Sequence, residues 1–244
     1  MDLSIFGLDM RLLAFLFFLL AFNTSIFGQT YMKPGITAGP TFAWPDKDSE
    51  LQDGFFGVTR TYFHTGICNS LQVGSHFFSK ISFLYSNQSF AIRQTGLPEW
   101  KTDIRYRVSR FEVPLVAGSS GFLGSMRHRE YLGGGISIRQ SEKTQVLADG
   151  DSLPVYSFAT ETQKSLGSAF FVMAGFEIGT SFKNDASIYF GGVIKYGLQD
   201  MFKGGFSSNR FQNQTVHYNG GYAGMEITFY FPRYSYWFKR EFTY

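Results

Sequence analysis

Side chains able to do chemistry are few and scattered in this 244-residue chain. Its four histidines, His64, His76, His128 and His217, show no ligand spacing with one another or with a cysteine, so no metal site is expected. Gly150-Asp151-Ser152-Leu153 spells a string found around the nucleophile of some serine esterases, where the serine sits at a strand-to-helix turn and works with a late Asp-x-x-His. Here the string falls in a polar loop, and Gln214 stands where that Asp would precede His217, so a chance match is the better reading. Nucleophile and base must come within about 3 Å of each other. No spacing here predicts such a pair, and no catalytic residue is assigned. The Gly-rich pairs are followed by no helix, which leaves no phosphate cradle and no expected cofactor. The single cysteine, Cys68, cannot form an internal disulfide and reads as a small apolar side chain in a wall.

The residues that stand out instead are Lys80, Arg110, Glu112, Glu177, Lys195 and Glu226, charges set singly into aromatic, β-branched stretches. Their meaning depends on the elements that carry them. Alternating stretches rich in Phe, Tyr, Ile, Val and Thr predict strands near 30–43, 56–73, 77–93, 103–117, 129–141, 168–181, 186–203 and 218–231. In the last, Ala223, Met225, Ile227, Phe229 and Phe231 share one face, and Tyr222, Gly224, Glu226, Thr228 and Tyr230 share the other. The seventh sets Ile188, Phe190, Ile194 and Leu198 against Tyr189, Lys195 and Gln199; the sixth sets Phe170, Val172, Phe176 and Ile178 against Met173 and Glu177. His64 shares its parity with Arg60, Cys68 and Gln72, a position facing a lumen. The fourth strand is irregular, with Arg105, Arg107 and Ser109 on one parity and Arg110 and Glu112 on the other. A bulge near Ser109-Arg110 would restore its phase.

Short connections (Gly74-Ser75-His76, Gly118 to His128, Lys183-Asn184-Asp185) alternate with long polar ones (44–55, 94–102, 142–167, 204–217). Strict sorting of this kind, with polar residues facing in and apolar residues facing out, is the pattern of a transmembrane barrel with periplasmic turns and external loops. An open sheet in lipid would leave edge amides and carbonyls unpartnered at several kcal/mol each, so the sheet must close. The predicted fold is therefore all-β: a closed, antiparallel, up-and-down barrel of about eight strands. Its site residues, the six charges above, would form a lumen network of ion pairs filling a barrel about wide enough for its own side chains.

The composition agrees: 44% hydrophobic and 19% aromatic, but only 17% charged. Arg11, the apolar run Leu12 to Phe22 and small residues up to Gly28 outline a signal peptide over 1–28, too short in its apolar core for a spanning helix. Met10-Arg11 would make a cleaner start than Met1, since Asp2 and Asp9 interrupt the basic region. Without residues 1–28 the net charge rises only from +3 to +4, which gives no reason to expect nucleic acid. Residues 29–231 form the barrel, and 232–244 an aromatic, basic tail suited to a membrane interface. Trp44, Phe55, Phe56, Trp100, Tyr106, Phe202 and Phe206 near the loop-side strand ends read as an aromatic girdle.

The order of short motifs is familiar: YSNQSF (85–90), RFEVPLVAG (110–118), AGFEIG (174–179), KYGLQDMF (195–202) and GMEITFYF (224–231). Together they resemble the small outer-membrane β-barrel family that includes the PorT-like proteins. The resemblance implies an eight-stranded barrel of a bacterial outer membrane, in a family some of whose members serve a protein-secretion (type IX) and gliding apparatus. A lumen expected to be filled and the lack of a catalytic constellation favour a non-enzymatic structural or interaction component of the envelope. Its partners would be outer-membrane lipid and envelope or secretion proteins met through loops 44–55, 142–167 and 204–217. A small pore and a lipid-modifying enzyme are the competing functions.

Overall fold

A computed structural model describes residues 30–43, 55–94, 104–146, 157–160, 168–200, 202–208 and 211–232. The proposed signal peptide, the GDSL string, Trp44, Trp100 and the tail from residue 233 lie outside them. Eleven strands occupy this span: β1 (Thr30–Ala43), β2 (Phe55–Val73), β3 (Phe77–Gln94), β4 (Ile104–Leu123), β5 (Met126–Val146), β6 (Ser157–Thr160), β7 (Ser168–Ser181), β8 (Ser187–Gly197), β9 (Phe202–Ser208), β10 (Phe211–Tyr218) and β11 (Tyr222–Tyr230).

Eight of them close into an antiparallel barrel in the order β1-β11-β8-β7-β5-β4-β3-β2, each neighbour being the next barrel strand along the chain. Closure runs from Gly35 opposite Tyr230 to Ala43 opposite Tyr222, so the wall has no open edge there. Polar backbone groups are thereby satisfied within the wall, as a hydrocarbon environment demands. Large apolar side chains stand exposed on the outside, among them Ile67 at 61%, Leu132 at 68%, Ile194 at 63% and Met225 at 63%. Soluble monomers do not leave an apolar surface of that extent to water. The strand faces follow the expected parity: along β11, Tyr222, Gly224, Glu226, Thr228 and Tyr230 are buried, while Met225 and Ile227 face out. His64 and Cys68 are buried on the inward face of β2.

Tight turns tie the strands at one end. Gly74 and Gly124 adopt φ of 62° and 61°, the left-handed region that glycine enters without a Cβ penalty. Asp185 does so at 66° as a non-glycine, beside Asn184, whose Oδ1 accepts a bond from the Ala186 amide. One expected turn is much shorter than anticipated. Between β4 and β5 only Gly124 and Ser125 remain outside the strands, so most of 118–128, including His128, belongs to the wall.

Two further features depart from expectation. β8 stops at Gly197 rather than near 203, and much of the presumed loop 204–217 is a hairpin, β9 with β10. β6, from within the 142–167 connection, pairs with β9 to make a separate three-stranded sheet. The short, Gly-containing strand FKGGFSS carries little of the apolar alternation that marks a wall strand, which is why it reads as loop.

The irregularity of β4 also has another cause. A register shift does fall at Ser109/Arg110, but the β3 pairing runs through unbroken and the extra residue is Gln140, on β5. Tyr106, Val108, Arg110, Glu112 and Val116 are all buried on one even-numbered face, and Arg107, Phe111 and Leu115 are exposed on the other. What changes at this point is the solvent. Below Ser109 the outside is apolar and the inside charged; above it Arg105 and Arg107 lie outside, and Tyr106 and Val108 lie inside. β4 leaves the apolar belt here and continues with arginines outward over an apolar interior.

Candidate functional site: the filled lumen

All six charges singled out from the sequence face the interior, and all are at least 95% buried. They fall into two layers. In the lower one, Lys80 of β3 bridges Glu177 of β7 and Glu226 of β11, lying 2.8 Å from Glu226 Oε1 and in direct contact with Glu177 Oε1. Tyr131 of β5 donates to the same Glu226 oxygen at 2.9 Å, and its ring lies 4.8 Å from Lys80 Nζ. His64 Nε2 stands 3.9 Å from Glu226 Oε2. In the upper layer Glu112 takes Lys195 Nζ at 2.6 Å and Arg110 Nε at 3.0 Å on one oxygen, and Tyr222 donates to the other at 3.3 Å.

Each layer ties strands across the lumen, and burial makes such ties strict. A buried charge left unpartnered costs several kcal/mol, so these groups hold one another in place. The rings do the rest of the filling: Lys195 lies 4.2 Å from the Phe171 centroid, and Phe78 meets Tyr131 edge-on at 6.3 Å.

Sequence reasoning missed several members. Arg129 of β5 is 1% exposed, its guanidinium 4.3 Å from the Tyr189 ring, 4.8 Å from Phe78 and 5.2 Å from Tyr230, with Glu177 Oε2 at 3.6 Å. Its parity with Tyr131 carried the signal. Lys33 is buried too and donates to the backbone oxygen of Asp185 at 2.7 Å. Among the described residues the buried charges number five cations (Lys33, Lys80, Arg110, Arg129, Lys195) and three carboxylates (Glu112, Glu177, Glu226).

The hairpin packs into the long-connection end of the barrel. Tyr218 of β10, fully buried, accepts a hydrogen bond from Arg110 Nη2 at 2.9 Å, donates to Gln88 Oε1, and packs on Phe90 at 5.0 Å between centroids. Val216 is equally buried. Phe90 stacks on Tyr106 at 5.1 Å, so Tyr106 belongs to this inner cap and not to an outer girdle. Phe55 is likewise buried, and only Phe56 of the described pair faces out. Neither signal was accessible without knowing where the apolar belt of the wall ends.

The remaining chemistry is sparse. His76 lies in its turn, with Nδ1 2.6 Å from Ser75 Oγ, and His217 on β10 pairs with Asp200 at 2.8 Å. No group of three His, Cys, Asp or Glu residues able to hold a metal occurs among the described residues.

The fold and its interior define a closed eight-stranded barrel with an apolar outside and a side-chain-filled inside. No protein-family profile and no curated protein sequence matches the chain. Among solved structures, the outer membrane protein OprG from Pseudomonas aeruginosa is similar at 10% identity and a TM-score of 0.48, over 83% of this chain and 95% of that one. The outer membrane protease OmpT from Escherichia coli gives 8% identity and 0.39, over 82% and 93%. The translocator domain of autotransporter NalP from Neisseria meningitidis gives 8% and 0.30, over 91% and 95%.

Proposed function

We propose that the protein is a non-enzymatic barrel of a bacterial outer membrane that works as a structural and interaction component of the cell envelope. The observation that carries this reading is the filled lumen. Two layers of ion pairs and a tucked-in hairpin leave the interior occupied by the chain's own side chains, so the surfaces that remain for work are the outer wall and the external sheet. The resemblance to PorT-like proteins narrows the role to an accessory of a type IX secretion apparatus, met through loops 44–55, 142–167 and 204–217.

Co-purification tests this: a tagged copy, extracted from its own envelope in mild detergent, should bring down defined envelope proteins, and truncating the β9–β10 hairpin should release them. A barrel that emerges alone would speak against it. Planar-bilayer recordings address the pore alternative, for which steady conductance is the contradicting result. One contact favours the hydrolase alternative, since His217 held by Asp200 at 2.8 Å has the geometry of an oriented base. Phospholipid turnover by the purified protein, abolished in His217→Ala, would establish that reading instead.

A further inference from the structure

A carboxylate stands deep in the apolar belt of the outer wall. Glu130 of β5 is exposed on the outward face, four residues above Met126, which is about 13 Å along the strand and about 10 Å in height once strand tilt is allowed for. Exposed apolar side chains continue beneath it to the hairpin tip, among them Phe122, Leu123 and Met126, and Leu132 and Phe176 stand exposed beside it. Glu130 makes neither hydrogen bond nor ion pair among the described residues. Arg127, three positions below, donates instead to Tyr31 Oη at 3.2 Å and lies over the Phe122 ring at 4.9 Å. An ionisable group in hydrocarbon is costly until a partner meets it, so Glu130 marks a place on the wall where something docks.

The surroundings select the partner. His128 shares the outward parity, about 7 Å from Glu130 along β5 and about 5 Å lower. Its ring lies over Gly121 of β4, where a Cβ would come within 2.6 Å of Cε1. Its Nδ1 is buried without a hydrogen-bond partner among the described residues, which leaves Nε2 to meet a second molecule. Donor and acceptor thus stand side by side on one strand, an arrangement that a two-fold axis parallel to the barrel axis uses twice: His128 of each copy donates to Glu130 of the other. The neighbouring strand is low along the same stretch, with Ser119 opposite Glu130 and Gly121 opposite His128. Small residues of this kind let two walls approach closely, which matters in lipid, where hydrophobic contact alone gives no drive to associate. A lipid ammonium sits with its headgroup, about 10 Å below, and does not supply the donor.

Resting on the outer-membrane reading, we propose that the wall of β4 and β5 around Glu130, His128, Ser119 and Gly121 is the interface of a symmetric dimer of this chain in the membrane, joined by two His128–Glu130 hydrogen bonds across the two-fold axis. Sedimentation equilibrium of the full-length protein in density-matched detergent micelles should give the mass of two chains. Glu130→Leu and His128→Leu each remove both bonds and should weaken association about tenfold, since one such bond in an apolar medium is worth about threefold. An equimolar mixture of the two variants keeps one bond in the mixed dimer and should associate about threefold more tightly than either alone. The exchange His128→Glu with Glu130→His rebuilds both bonds and should associate like the parent protein. Ser119→Phe should weaken association, whereas Ile227→Phe, across the barrel on β11, should leave it unchanged.

A monomeric parent protein, parent-like association of Glu130→Leu and His128→Leu, no gain in their mixture, or equal effects of Ser119→Phe and Ile227→Phe would overturn the dimer. Unchanged heat-dependent gel mobility of the variants shows that the barrel itself stands. A parent protein that stays in solution without detergent would overturn the membrane reading, and the dimer with it.

Discussion

Glu112 shows what the lumen asks of a single residue. It holds Lys195 and Arg110 on one oxygen, in a place where none of the three can reach water. Glu112→Ala should therefore lose about 3–5 kcal/mol, because it strands two cations. Replacing all three charges by Glu112→Leu with Lys195→Met and Arg110→Met should recover most of that loss, since apolar packing needs no partner, whereas Glu112→Leu with Lys195→Met alone should recover only part of it because Arg110 still lacks the carboxylate. Urea unfolding in detergent micelles would check both, and a mild loss in the single variant would contradict the pairing. Tyr218 is a second test at this scale. Tyr218→Ala removes the contact of β10 with Arg110, Gln88 and Phe90, and should make the hairpin an early site of proteolytic cutting while the barrel stays resistant. Glu177, Lys195 and Glu226 could be read from parity, because they interrupt strands whose other face is largely apolar, whereas the parity of Arg110 and Glu112 conflicts with that of Arg105 and Arg107 on the same strand. Arg129, set among Phe78, Tyr189 and Tyr230, could not be ranked above other strand arginines, since its aromatic partners come from three other strands.

At the scale of the element, β4 carries the lesson. Its charges change face at Ser109, and a sequence reading that assumes one environment per strand must invent a phase shift to explain it. The strand keeps its phase and changes solvent instead, so the same spacing means lumen below and water above. Substitutions should follow that boundary. Leu115→Arg, within the belt, should cost about 2–4 kcal/mol, whereas Arg105→Gln, above it, should stay within about 0.5 kcal/mol. Equal costs at the two positions, measured by refolding into lipid vesicles, would remove the boundary. Strand packing sets another limit: a Cβ on Gly39 would sit 1.8 Å from the Met225 carbonyl oxygen, so Gly39→Ala must push β1 from β11 and should lower the yield of heat-resistant barrel. Wall strands were legible because their alternation runs for nine or more residues; β6, β9 and β10 were not, being short and, in β9, glycine-containing.

The whole molecule is an inside-out protein with an apolar-cored cap at one end. Hydrocarbon meets Ile67, Leu132, Ile194 and Met225; the charges that a soluble protein would show to water are locked inside. The most direct measurement is the solvent met by each face. In a Cys68→Ser background, an environment-sensitive dye placed by Ile67→Cys, Leu132→Cys or Ile194→Cys should be quenched by nitroxide carried on lipid tails and spared by an aqueous quencher. Quenching of those three positions from water, with no effect of the lipid nitroxide, would contradict the account.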